Sequence, residues 1–514
     1  MNTAALLAIA FALLVTSVTS AEAGLTEGSR LAALYDTILA ARFDEVDAQV
    51  KATCPPAPVE ACNALAAVST WWQILLDPQS RALDARLNTL TAAAVSASDA
   101  WTRREPRNGE AWFYLAGSYA PLVQWRVLRG ERLAAARDAN RIREALERAL
   151  RLDPTLQDAY FGIGLYHYYA DVVPATVKFV RWLMFLPGGD RVKGMREMLQ
   201  ARDQGELLSG EADYQLHLLY LWYEQKPVEA LGLLEGLAKR YPSNPLFLER
   251  IADVQDTYFH DHPASAAAWR KLFARARRHE VESEAIAEVR ARLGLARELD
   301  AMFETDRAIE ELKPVVELNP AAPRGALAQA HLQLGAAYDR LGQRELAVES
   351  YSRAIAAVGS DDHLQIRDAA RAGLRQKPDA RAAEAYRASL EGWRELQRGA
   401  ADQAEPLLAR AVELAPKDPV ARYRFARVLE ATGRRERARE ELEAVIAAQA
   451  VPAVVLSAAY VDYAAMLEQS GDTPRALTMY RDAEKIVGAD PRARDRALRA
   501  IKRLSHPLSQ RNLF

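Results

Sequence analysis

The chain is poor in cysteine, and that scarcity sets the first limits on what it can be. Its 514 residues contain two, Cys54 and Cys62, in the run CPPAPVEAC. With no second pair of ligands nearby, they cannot build a four-ligand zinc site, and they are too few to staple a disulfide-dependent small domain. Beyond the first residues, no stretch approaches the roughly 20 apolar residues that span a bilayer, which excludes a polytopic membrane protein. Alternating β-branched runs are missing as well, while Ala, Leu, Arg and Glu dominate, so helix is favoured throughout. Nor is there a block of like charge: 67 basic residues interleave with 69 acidic ones for a net charge of −2. A basic stripe able to neutralise phosphates is absent, and nucleic acid is not an expected partner.

Catalytic motifs are equally scarce. There is no G-x-S-x-G elbow. His279-Glu280 begins like a zinc-protease motif, but Ser283 stands where the second His is required. His260-Asp261-His262 falls at a turn between helices without a third ligand, so capping and solvation are expected of it. Gly188-Gly189-Asp190 precedes Arg191 and Lys193 but lacks the lysine and hydroxyl of a phosphate loop, and Asp190 is expected to cap the next helix. The chain is therefore read as a non-enzyme with no catalytic residue, no cofactor and no metal.

Turning to what is there, the first residues carry an apolar run, AALLAIAFALLVTSV, followed by Ala21-Glu22-Ala23 before Gly24. A short apolar run ending in a small-x-small site reads as an export signal over residues 1–23, removed near Ala23. No Lys or Arg precedes the run, which leaves an uncleaved anchor as the alternative. No Cys lies at the site, which argues against a lipoprotein. In an oxidising compartment Cys54 and Cys62 are expected to form a disulfide across their Pro-rich loop, fixing the turn between a helix ending near Ala52 and one starting near Val59. The expected location is periplasmic.

The dominant feature is a degenerate repeat of about 34 residues. LGAAYDRLGQRELAVESYSRAI sets Leu334, Gly335, Tyr338, Gly342, Ala347, Tyr351 and Ala354 at the same spacing as Tyr463, Ala464, Leu467, Gly471, Ala476, Tyr480 and Ala483. Further copies run through Leu295, Ala296, Leu299, Ala308, Leu312 and Pro320, through Gly392, Leu396, Gly399, Ala404, Leu408, Ala411 and Pro416, and through Phe425, Ala426, Leu429, Gly433, Ala438, Leu442 and Val445. Small residues belong where two helices of a hairpin approach most closely, and larger ones fill the space between hairpins. From Ser283 to Gly488 the pattern resembles the tetratricopeptide repeat family. The resemblance implies an all-α fold, a right-handed α-solenoid of helical hairpins with an irregular N-terminal half and a regular C-terminal half. The expected organisation is a signal segment at 1–23, an N-terminal helical region with the cysteine link at 24–107, irregular hairpins at 108–282, the regular array at 283–488, and a capping helix with tail at 489–514.

Arrays of this family present one face of each first helix to a ligand. Mapped onto this chain, that places Phe161 and Tyr168 in the irregular half and Asp339, Tyr386, Trp393, Tyr423, Arg427 and Glu430 in the regular half on a concave groove. The Lys and Asn clamp for a terminal carboxylate is not at these places, so an extended peptide or a partner helix is the implied ligand. One segment departs from the pattern: residues 172–187 could form a largely apolar helix rich in Phe and Trp, with Lys178 and Arg181 among its few polar groups. It is expected to be internal core; the alternative makes it a pocket wall or a membrane-contacting element of a lipid-handling protein. The function expected is an exported scaffold for a protein or peptide partner.

Overall fold

The computed structural model describes residues 24–172, 188–359, 362, 364–377 and 379–505. The expected signal segment, the 173–187 part of the apolar insertion and the tail ending at Phe514 lie outside the described residues. Among those described, 24 helices and no strand occur, and no helix is long and apolar enough to cross a membrane. The chain divides between Gln225 and Lys226 into two compact units. The boundaries expected at 107, 282 and 488 mark repeat regularity, a different partition from compactness.

The first unit contains α1 (Gly28–Leu39), α2 (Phe43–Thr53), α3 (Val59–Leu76), α4 (Asp84–Arg104), α5 (Gly109–Leu128), α6 (Arg132–Leu152), α7 (Ala159–Val172), α8 (Arg191–Gln204) and α9 (Ser209–Trp222). Cys54, just past α2, is bonded to Cys62 in α3, so the link braces the turn the sequence assigns to it. Asn108 begins α5 by accepting from the N–H groups of Glu110 and Ala111, and Asp190 begins α8 by accepting from Lys193. Each satisfies orphan donors of a first helical turn. Helices α7 and α8 approach at a pair of glycines: a Cβ on Gly164 would stand 2.7 Å from the Gly194 carbonyl oxygen, and one on Gly194 would stand 2.5 Å from that of Gly164. Only backbone without a side chain fits there.

The second unit runs through α10 (Pro227–Arg240), α11 (Pro245–Thr257), α12 (His262–Arg277), α13 (Glu284–Ala301), α14 (Thr305–Leu318), α15 (Ala326–Arg340), α16 (Arg344–Ala357), α17 (Ile366–Arg375), α18 (Ala380–Gln397), α19 (Ala401–Leu414), α20 (Pro419–Ala431), α21 (Arg435–Ala447), α22 (Ala453–Gln469), α23 (Thr473–Glu484) and α24 (Pro491–Ser505). Successive pairs from α11/α12 to α22/α23 form antiparallel hairpins, each stacked on the next. Small residues sit at the tight contacts as the spacing predicts: Ala347, Ala404, Ala438 and Ala476 are fully buried. Gly342, Gly399, Gly433 and Gly471 close their hairpins in the left-handed conformation that glycine adopts without strain. Helix α24 packs on α22 and α23 and buries Ala493, Ala497 and Ala500, which seals the last hairpin. One element departs from the repeat. Helix α17 is inserted between the α15/α16 and α18/α19 hairpins and packs back on the former.

Candidate functional site

In the second unit the first helices of the late hairpins, α18, α20 and α22, bring together most of the residues singled out by the sequence. Trp393 lies 6.2 Å from the ring of Tyr423, and both are part-exposed. The Tyr386 hydroxyl shares a 2.7 Å hydrogen bond with the Thr305 hydroxyl. The Tyr423 hydroxyl donates to Asp462 at 3.1 Å, and Arg427 donates to the same carboxylate oxygen at 2.7 Å. Arg496 of α24 holds the other oxygen of Asp462 at 2.7 Å. Glu430 pairs with Arg427 at 3.4 Å. Asp339 stands apart on α15 and is held by Arg344 at 2.8 Å.

The electrostatics follow from this packing. Burial, reinforced by the Asp462 charge, raises the pKa of Tyr423 and keeps it a neutral donor. Burial works against the charge of Arg427, but Asp462 outweighs it, so the guanidinium is raised and stays charged. Burial raises Tyr386 too, against the Thr305 hydrogen bond. The result is a strip of neutral phenols and an indole edged by a fixed Arg427–Glu430 pair. Such a surface can pack on an apolar side chain while offering directional polar contacts at its edge.

Phe161 and Tyr168 are placed differently. They are 7% and 0% exposed, and the Tyr168 hydroxyl donates to Glu224 at 2.5 Å within the first unit. Both are core there, so the part-exposed rings among the residues singled out by the sequence lie in the second unit.

Sequence reasoning missed the residues that support the strip. Phe303 occupies the turn between α13 and α14 with φ 63°, where the later hairpins have glycine. A left-handed aromatic residue is strained, and two contacts hold it: its side chain packs against the cluster around Val420, Val455 and Ala459, and its carbonyl accepts from Arg424 at 2.8 Å. Arg424 is 4% exposed, donates also to the Ser389 hydroxyl at 3.0 Å, and lies with its guanidinium 5.7 Å from the Trp393 ring centre. Burial lowers its pKa. A turn from one hairpin thus clasps a helix 121 positions further along and sets the bed on which Trp393 rests. The signal was in the sequence: AMFETDRA carries Phe where the matching turns carry Gly.

Asp256, His262 and Glu298 place three ligand-type atoms within 4.8 Å of one another. A cation is already there. Arg297 lies 2.9 Å from Glu298 and 3.3 Å from Asp256, and His262 donates to Glu298 at 2.9 Å. The group is an ion network joining α11, α12 and α13. In agreement with the capping expected at this turn, Asp261 accepts from the Ala264 N–H.

Comparison with known proteins finds the repeat in two segments. Residues 328–357 and 395–457 each match a family model described as tetratricopeptide repeat. No curated protein sequence matches. Among solved structures the chain is similar to a tetratricopeptide repeat protein from Parabacteroides merdae, at 16% identity over 57% of this chain and 99% of that one, with a TM-score of 0.25. It is also similar to the P58(IPK) TPR domain, at 15% identity over 87% of this chain and 100% of that one, with a TM-score of 0.23. A third is an IFIT1 monomeric mutant with Gppp-AAAA, at 13% identity over 76% of this chain and 81% of that one, with a TM-score of 0.27. Overlaps this low carry no argument about function. The repeat matches, with the stacked hairpins and their buried alanines, show tetratricopeptide repeats in the second unit. Such arrays serve as protein-interaction scaffolds.

Proposed function

We propose that the chain is an exported scaffold that binds a protein or peptide partner on the strip formed by Tyr386, Trp393, Tyr423, Arg427 and Glu430. The observation that carries the reading is the pair of part-exposed rings, Trp393 and Tyr423, on the first helices of adjacent hairpins. They are held from behind by Arg424 and Asp462. Rigid aromatic anchors with a polar edge are the usual centre of a binding surface. Export is supported by the leader-like run at residues 1–23 and by the Cys54–Cys62 disulfide. Catalysis is not part of the proposal. A photo-crosslinking residue at position 430 tests it, with position 436 on the second helix α21 as the control, since Glu436 is 80% exposed. Discrete crosslinked products from 430 in envelope extracts, and none from 436, are expected. Equal labelling from both positions contradicts the proposal.

A further inference from the structure

Two turns of the first unit meet at the edge where α5 passes into α6. Gly130 closes the α5–α6 turn in the left-handed conformation, with φ 80°. Beside it the Arg129 guanidinium reaches the α3–α4 turn. It donates to the Pro78 and Ser80 carbonyls at 2.8 and 2.7 Å, and to the two oxygens of Asp84 at 2.8 and 2.7 Å. The edge is therefore rigid, yet its side chains are not those of an ordinary solvated turn. Val127 is 61% and Leu133 67% exposed, and Leu128 between them is also open to solvent. Single exposed apolar residues need no explanation, but three within residues 127–133 form an apolar tip that the rest of the described chain leaves uncovered.

Cations surround this tip. Burial works against the charge of Asp84, but the Arg129 hydrogen bond and the Arg129 and Arg81 charges lower its pKa, which puts Arg81 beside the same carboxylate. Arg132 opens α6, and Arg137 stands one turn beyond Leu133 on the same helix face. All three arginines are exposed, and among the described residues their side chains make no hydrogen bond or ion pair. The carboxylates close by are already engaged: Arg129 holds Asp84, and Glu131 lies 3.7 Å from Arg126. Arg81 and Arg132 are far apart in the sequence, so no basic run announces the cluster. Apolar side chains ringed by unpaired cations match the boundary of an anionic bilayer, where hydrocarbon lies beneath a layer of phosphate. A protein partner would need acidic groups fixed opposite cations from two turns, whereas lipid headgroups rearrange to meet them. We infer that the α5–α6 tip docks on an anionic lipid surface, with Val127, Leu128 and Leu133 entering the interface and Arg81, Arg132 and Arg137 pairing with headgroup phosphates. The contact is peripheral, since no described helix is long and apolar enough to cross a membrane. It lies in a different unit from the partner strip and adds a second binding surface.

Sedimentation of the full chain with vesicles tests this, using phosphatidylcholine alone and phosphatidylcholine containing phosphatidylglycerol. Wild type is expected to pellet with the anionic vesicles only, and to be released as salt is raised. Val127→Ser with Leu133→Ser should weaken partitioning at least about tenfold by removing apolar contact. Arg81→Gln with Arg132→Gln and Arg137→Gln should weaken it at least about tenfold by removing charge. The substituted side chains are exposed, so circular dichroism and the thermal midpoint should match wild type. Val228→Ser, at a 67% exposed position of α10, should bind as wild type does. Every variant keeps the same N-terminus and the same 173–187 segment, so a contribution from either cancels in the comparison. Wild type that stays off anionic vesicles, or folded tip variants that bind as tightly as wild type, would overturn the inference. A photo-crosslink from position 133 to an acidic protein, in place of vesicle binding, would make the tip a protein contact and overturn the lipid assignment.

Discussion

One tight contact in the regular array is an aromatic ring between two glycines, and replacing either glycine by alanine should be harmful. A Cβ on Gly335 of α15 would stand 2.5 Å from Cε1 of Tyr351, and one on Gly373 of α17 would stand 2.4 Å from Cζ of the same ring. Ordinary carbon contacts begin near 3.5 Å, so Gly335→Ala asks the ring to move by about 1 Å. Gly373 blocks that movement from the other side. Overpacking of this kind costs about 2 to 3 kcal/mol, and the better helix propensity of Ala returns about 1 kcal/mol, leaving a net loss of about 1 to 2 kcal/mol. Gly236 of α10 has nothing within 4 Å of a built Cβ, so Gly236→Ala should gain up to about 1 kcal/mol from propensity alone. Hydrogen exchange by mass spectrometry is the suitable assay, because a stacked array opens locally and a global midpoint averages the effect. Residues 326–375 should lose protection in Gly335→Ala, and Tyr351→Leu should relieve the effect of the added methyl. Equal protection in Gly335→Ala and wild type would show that α15, α16 and α17 do not meet on this ring.

Two other expectations follow from the same packing. Ala347→Leu and Ala476→Leu add three carbons at fully buried contacts and should each cost about 1 to 3 kcal/mol, with exchange rising only in that hairpin and its neighbours; effects spread evenly along the chain would contradict the stacked-hairpin account. His262 should make the second unit more stable on the acid side. Its pKa is raised first by the Glu298 hydrogen bond, with the Glu298 and Asp256 charges adding to the rise while burial and Arg297 oppose it. Its contribution is therefore full below the unfolded value near 6.5 and disappears as pH climbs through the higher folded value. Urea midpoints measured from pH 5.5 to 8.5 should fall more steeply in wild type than in His262→Gln, and parallel curves would refute the assignment.

How much of this was legible in the sequence depends on distance along the chain. The hairpins, their turn glycines and the alanines at their closest contacts recur with a fixed period. Each is a local consequence of two helices meeting, so Ala347, Gly342 and Tyr351 fall where the spacing placed them. The disulfide and the cap at Asp190 were legible for the same reason, being settled within a few residues. Helix α17 was not foreseen, although Gly335 and Gly392 stand nearly two repeats apart in the sequence. The clasp between Phe303 and Arg424 left no period to find, because it joins hairpins that are neighbours only after the array has wound. Phe161 and Tyr168 occupy family-like ligand positions but are buried. Periodicity alone does not tell which faces of an irregular array stay open.

The central claim is that Trp393 anchors a partner, and the direct measurement is the affinity of the partner identified by crosslinking at position 430. Trp393→Ala, with helical content and thermal midpoint checked alongside, should weaken binding by at least 2 kcal/mol, about thirtyfold in Kd, as expected for an aromatic anchor. Arg439→Ala, which removes a half-exposed side chain on the second helix α21, should leave Kd unchanged. A Trp393→Ala protein that stays folded and binds as tightly as wild type would contradict the account.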